Sequence, residues 1–124
     1  VHAIYRNRIP RKKELRSRKE MLFDQFMRYL SYHYKKERSV NFYAKSLFLT
    51  PKHLSSVVKE VSGKTAGEWI DNFVLFEAKS LLKSSQKNIQ EIADELNFAN
   101  QSFFGKYFKH CAVLEIFAKE RLFG

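Results

Sequence analysis

One cysteine, Cys111, has no second thiol in the chain to pair with, which excludes an internal disulfide framework and fits a reducing cytoplasm. Two prolines and four glycines in 124 residues leave little room for long loops. No apolar run approaches the roughly 20 residues that a membrane span needs, and the opening residues lack a signal-peptide pattern, so a cytoplasmic location with no membrane partner is expected. Acids are scarce: 13 Asp and Glu stand against 23 Lys and Arg, a net charge of +10. Such a balance points to a polyanionic partner, but the deficit is uneven. Residues 1–38 hold 12 basic residues against 4 acids, leaving only +2 for residues 39–124. The run RNRIPRKKELRSRK, within a segment 1–18, reads either as a solvated linker or as an arm that touches phosphates without sequence preference. The linker-like opening at Val1 suggests a piece of a longer protein.

What is present is enough for one folded domain. Apolar residues make up 44% and aromatics 15% of the chain, which argues for a globule over disorder. The length suits one modest core, not a catalytic domain joined to a binding domain. Residues 19–124 are therefore expected to form one unit.

Helical spacing runs through it. From about Lys19 to Tyr34, the residues Met21, Leu22, Phe26, Tyr29, Leu30 and His33 recur at helical intervals and predict an amphipathic helix. Ser39 or a neighbour can cap the next helix, to about Leu47. Thr50-Pro51 supplies an N-cap followed by proline at the first helical position, and Gly63 supplies a stop, since glycine accepts the left-handed conformation at a helix C-terminus. Thr65 and Glu68 fit a capping box that opens a helix to about Lys83. On that helix Ile70, Phe73, Val74, Ala78, Leu81 and Leu82 make one face, and Trp69 and Phe76 extend it sideways. A helix apolar over so wide an arc needs neighbours on more than one side, as a strut between two subdomains would. Asn88 and Glu91 repeat the capping logic.

The sequence also repeats itself. Residues 40–59 read VNFYAKSLFLTPKHLSSVVK and residues 89–109 read IQEIADELNFANQSFFGKYFK. An offset of 49 aligns the first helices, with Tyr43 on Ile92, Ala44 on Ala93, Leu47 on Leu96 and Leu49 on Phe98. An offset of 50 aligns the second helices, with Thr50 on Asn100, Leu54 on Phe104, Val58 on Phe108 and Lys59 on Lys109. One extra residue sits in the second turn, and both second helices start at a residue suited to N-capping. The pattern is that of two helix-turn-helix units, about 39–63 and 88–112, joined by a strut at about 65–84. In such units the second helix enters the DNA major groove. A strut of about 19 residues is roughly 28 Å long, compatible with second helices in successive groove segments about 34 Å apart.

These stretches, above all LTPKHLSSVVKEVSGKTAGEWI and IADELNF followed by SFFGKYFK, closely resemble the DNA-binding domain of AraC/XylS-type bacterial transcription regulators, in the version common in Bacteroides-type bacteria. The resemblance covers about residues 19–112. It implies an all-α module of about seven helices, with two helix-turn-helix subdomains joined by a long central helix, that binds double-stranded promoter DNA. It also implies RNA polymerase as a partner and an N-terminal sensor domain in the full-length protein. Carried onto this chain, it places Pro51, Lys52, Ser55, Ser56 and Lys59 of the first recognition helix, and Gln101, Ser102, Gly105, Lys106 and Lys109 of the second, toward the groove. Helical periodicity selects nearly the same set, because Leu54, Val57, Val58 and Val61, and Phe104, Tyr107 and Phe108, take the buried faces. The end departs from the family: a glycine, then Ser-Pro and a Tyr-Arg pair, give way to CAVLEIFAKERLFG. Gly63 maps onto Val113, a β-branched residue ill suited to a left-handed cap, so the second recognition helix is expected to run on or to end differently.

Side-chain chemistry limits what each position can do. Gln101 can bond adenine through N6 and N7, and Lys52 or Lys106 can donate to guanine O6 and N7; otherwise each is a phosphate contact or a solvated surface residue. Ser55, Ser56 and Ser102 suit bases or phosphates. Gly105 would let the helix approach DNA closely. Lys59 and Lys109, one turn on, suit phosphate. Thr50 and Asn100 read first as caps, with phosphate positioning at the helix N-terminus as a further role. Phe103, opposite His53, can be partly exposed and touch a thymine methyl, but packing in the core is the first expectation.

Other chemistries find little support. Gly63-Lys64-Thr65 resembles the end of a phosphate-binding loop, but Val58 stands where that motif needs glycine. His2, His33, His53 and His110, with Cys111, show no metal-ligand spacing beyond the adjacent His110-Cys111 pair, and Cys111 has no base in view to make it a nucleophile. No enzyme, metal or cofactor is expected. The competing reading is a protein-interaction module whose DNA binding has weakened, suggested by the near-balanced charge of residues 39–124 and the paucity of Arg on both recognition helices.

Overall fold

The computed structural model describes residues 11–123, with side chains for 18–115; the first ten residues of the basic segment lie outside the described residues. Six helices and no strand occur among the described residues: α1 Arg11–His33, α2 Val40–Ser46, α3 Pro51–Ser62, α4 Ala66–Ser84, α5 Ile89–Glu95 and α6 Gln101–Phe123. The expected all-α arrangement forms, two helix-turn-helix units on a long connecting helix. Six helices among the described residues accord with the expected number of about seven, and α6 runs on past Cys111. Between Gly105 and the chain end no glycine or proline interrupts it, and Val113 continues the helix where Gly63 stops its counterpart. α1 begins at Arg11 instead of near Lys19, so residues 11–18 continue the helix.

In α1, Phe26 and Leu30 are fully buried, and Phe23, Met27 and Tyr34 pack beside them. Met21 and Tyr29, expected on the apolar face, are 59% and 39% exposed. They flank the 23–26–27–30–34 stripe on its solvent edges, away from the neighbours that cover its centre.

α4 has the expected capping box. The Thr65 side chain accepts from the Glu68 amide at 3.2 Å and the Thr65 amide donates to Glu68 Oε1 at 3.0 Å. That backbone donor, with Lys59 and Lys64 nearby, holds the Glu68 carboxyl below its ordinary range. Nineteen residues make α4 about 28 Å long. Its buried row is Ile70, Val74 and Ala78, widened by Ala66 and Leu75. Trp69 does extend it sideways: the ring meets Phe23 edge-on at 5.9 Å and its indole N–H donates to Ser62 Oγ at 2.8 Å. Phe76 and Leu82 do not join the core, at 75% and 42% exposed. Phe76 follows Val74 by about 200° around the helix, which places it opposite the buried row.

One continuous core crosses both units. Phe26, Tyr43, Leu54, Val58, Ile70, Val74, Ile92, Leu96 and Phe104 belong to the same buried cluster, with α4 between the halves. Full burial of each large side chain contributes about 1.5–3 kcal/mol. The two recognition helices are thereby tied to a common interior.

Candidate nucleic-acid interface

The two turns share three equivalent backbone bonds. In the first, the Leu47, Phe48 and Leu49 amides donate to Tyr43, Lys45 and Ala44 at 3.1, 3.1 and 2.8 Å; in the second, Leu96, Asn97 and Phe98 donate to Ile92, Asp94 and Ala93 at 3.0, 3.1 and 2.9 Å. Phe48 and Asn97 both adopt the left-handed conformation, at φ 59° and 60°. The register then shifts by one, through Ala99. Thr50 Oγ1 accepts from the His53 amide at 3.1 Å and Asn100 Oδ1 from the Phe103 amide at 3.0 Å. Both caps fill the roles expected from the repeat.

The caps orient the outward faces. On α3, Leu54, Val57 and Val58 are buried and Val61 is half-buried, leaving Pro51, Lys52, Ser56 and Lys59 exposed and Ser55 half-buried. On α6, Phe104 and Cys111 are buried and Tyr107 and Phe108 half-buried, leaving Gln101, Ser102, Gly105, Lys106 and Lys109 exposed. The side chains of Lys52, Ser55, Ser56, Gln101, Ser102, Lys106 and Lys109 make no hydrogen bond or ion pair with other described residues. The one acid of α3, Glu60, is paired with Lys19 at 2.8 Å. Neither recognition helix has an acid in its first turn, whereas α4 and α5 carry Glu68 and Glu91 there. The positive ends of α3 and α6 are thus left without a carboxylate, as an anion-accepting helix end requires.

Comparison with known proteins agrees with this geometry. A family model described as "Helix-turn-helix domain" matches residues 43–112, more than half of the chain. The chain belongs to the AraC-type helix-turn-helix family. An uncharacterized HTH-type transcriptional regulator of Bacillus subtilis, YisR, is 27% identical over 96 residues, which are 77% of this chain and 33% of the relative. The chain thus spans about a third of the length of the curated relative it matches.

Within this AraC-type domain, Phe103 overturns an expectation. It is 56% exposed instead of buried. Phe104, Tyr107, Phe108 and Cys111 follow the i, i+3, i+4, i+7 stripe toward the core, and residue 103 lies about 40° beyond the edge of that stripe. The exposure agrees with its alignment on His53, also exposed, and removes packing in the core as the first expectation. Tyr107 anchors α6 to the strut by donating to Asp71; burial first, and then this carboxylate, push its phenol far above the ordinary value. Burial, and then the Asp71 charge, push the Cys111 thiol up to about 11, so it stays protonated near neutral pH and packs as a small apolar group. Gly63-Lys64-Thr65 is a helix stop and a cap: Gly63 has φ 84° and Thr65 opens α4.

No helix among the described residues is long and apolar enough to cross a membrane. On the face formed by α1 and the first turn, a groove of about 490 Å³ is lined by Gln25, Arg28, Tyr29, Tyr32, Ser46, Leu47 and Phe48. Tyr32 and Phe48 are 80% and 95% exposed there.

Proposed function

We propose that this chain is the sequence-specific, double-stranded DNA-binding part of a bacterial transcription regulator, with α3 and α6 reading successive major-groove segments of a promoter. The observation that carries the reading is the duplicated recognition unit. Two turns of the same geometry present two polar helix faces, on which every proposed base-reading side chain is without an internal hydrogen bond or ion pair among the described residues, across a strut about 28 Å long, close to one helical turn of DNA. Lys52, Ser56, Gln101 and Lys106 are the base-reading positions, Ser55 and Ser102 contact bases or phosphates, and Lys59 and Lys109 hold phosphate. Pro51 and Gly105 allow close approach. Thr50 and Asn100 aim the helix N-termini at phosphates, and exposed Phe103 contacts a thymine methyl. The rest of the full-length protein supplies a sensor domain, and RNA polymerase is a further partner.

Selection of bound duplexes from a random library, followed by fluorescence anisotropy, tests this. Gln101→Ala or Lys52→Ala relaxes preference at one base pair, at a cost of about 1–3 kcal/mol, whereas Lys59→Ala weakens all sequences alike and lowers the salt dependence. A uniform loss in all three variants would sink the base-reading assignment.

The groove at Tyr29, Tyr32 and Phe48 favours a second reading, a protein-interaction module with little DNA affinity. Selected duplexes that bind no better than random DNA at moderate salt would support it.

A further inference from the structure

Arg38 lies between α1 and α2, beside the first unit, but its side chain bonds to the second. Nη1 donates to the Leu96 carbonyl at 2.5 Å and Nη2 to the Asn97 carbonyl at 3.0 Å. The guanidinium also lies over the Phe98 ring, 3.9 Å from its centroid. These acceptors belong to the end of α5, where carbonyls lack helical partners, and a planar fork can engage two of them at once. Asn97 reciprocates by donating from Nδ2 to the Lys36 carbonyl at 2.9 Å. Beside this clamp, Lys35 stands 3.7 Å from Glu77 and 3.6 Å from Glu95, and the Tyr34 hydroxyl donates to Glu77 at 2.9 Å. The loop after α1 therefore grips the turn that aims α6 through bonds that bypass most of the strut.

A strut alone fixes angle poorly. A bend of about 10° in a rod of about 28 Å moves its far end by about 5 Å. One base pair corresponds to only about 3.4 Å of rise and about 35° of rotation. A second attachment away from the strut axis turns one connection into a braced pair.

We propose that Arg38 is a positioning residue that holds the α5–α6 turn against the first unit, so that the chain discriminates the spacing between its two DNA segments to within one base pair. This rests on the two-segment reading above. Arg38 itself touches no base in this scheme.

The test uses the whole chain and duplexes bearing the selected site with zero, one or two base pairs added or removed between the segments. Wild type should lose about tenfold in affinity for each one-base-pair change, because one segment can no longer be engaged together with the other. In Arg38→Met that penalty should fall to about twofold, with affinity for a duplex carrying one segment alone unchanged. Arg38→Lys keeps the charge and loses the fork, so it should shift the profile toward that of Arg38→Met; this separates bracing from long-range charge. Asn97→Gly keeps the left-handed turn, removes the bond to Lys36 and should give an intermediate profile. It also carries the test if Arg38→Met does not fold. A spacing penalty in the folded Arg38 and Asn97 variants equal to wild type would overturn the proposal. A wild-type profile flat in spacing would overturn the two-segment reading and this proposal with it, whereas a steep wild-type profile retained in the variants removes only the role of Arg38.

Discussion

Phe48 and Asn97 hold the same left-handed position in the two units, at φ 59° and 60°, yet one residue resists that conformation and the other accepts it. The Phe48 ring is 95% exposed and repays little of the strain by packing. The geometry of the turn must then be imposed by what flanks it: Ala44 and Leu49 in the first unit, Ala93 and Phe98 in the second, joined by equivalent amide-to-carbonyl bonds. Bracing differs as well. The first unit leans on α1, through Phe26 edge-on to Tyr43 at 5.7 Å, whereas the second is held from within, by Phe98 against Phe104 and Tyr107, each at 5.2 Å, and from outside by the Arg38 grip. At their far ends the units part: α3 stops at Gly63 and α6 runs on through Val113. Two copies of one pattern thus share the local bonds that define the turn, and diverge wherever the surroundings differ.

Exchanging the two end residues is the strongest way to break the comparison. Gly63→Val forces a β-branched residue to φ 84°, and should cost about 1–3 kcal/mol although nothing lies within 4 Å of the new Cβ. Val113→Gly removes a 48% exposed side chain from a helix interior and should cost about 0.5 kcal/mol or less, from propensity alone. Urea unfolding measures both. Equal costs would mean that the two helix ends are not different in kind, and that α6 holds a strained position near 113.

The end residues also show what sequence reading can reach. Thr50, Thr65 with Glu68, Asn88 with Glu91, and Gly63 were legible because capping is decided within a few residues of chain. The continuation of α6 was legible for the same reason, from a stop residue that is missing. Met21, Tyr29, Phe76 and Phe103 were misplaced because periodicity defines an apolar arc but not how much of it a neighbour covers. The Arg38 clamp joins residues 58 and 59 positions apart, and no local pattern announces it. The left-handed turn at Phe48 had a signal that composition alone hides: at the offset of 49 it aligns with Asn97, a residue that tolerates that conformation. Among the outward positions, side-chain type and spacing fixed which residues are free, while the DNA sequence they select depends on distances to a partner.

A smaller effect sharpens the account of the turns. Phe48→Asn should stabilise the chain by about 1 kcal/mol, since asparagine visits the left-handed region at less cost. Asn97→Phe should lose that amount and the bond to Lys36 besides. Thermal unfolding of the pair reads the difference. If Phe48→Asn is neutral or destabilising, the exposed ring contributes through the groove shared with Tyr29 and Tyr32, and that groove becomes the place to look for a partner.

The smallest effect separates folding from recognition within α6. Gly105 aligns with Ser55 at the offset of 50, and no atom lies within 4 Å of a Cβ built on it. Packing therefore does not require glycine there, and in a helix interior glycine is worse than alanine by about 0.5–1 kcal/mol. Gly105→Ala should raise stability by that amount. If the second recognition helix sits closer to DNA than the first, the added methyl should at the same time weaken binding to the selected duplex, while Ser55→Ala in α3 changes it less. Opposite signs on the two measurements would assign the glycine to approach and not to folding. A stabilised variant with unchanged affinity would take Gly105 off the DNA and leave the second unit reading through Gln101, Ser102, Phe103 and Lys106.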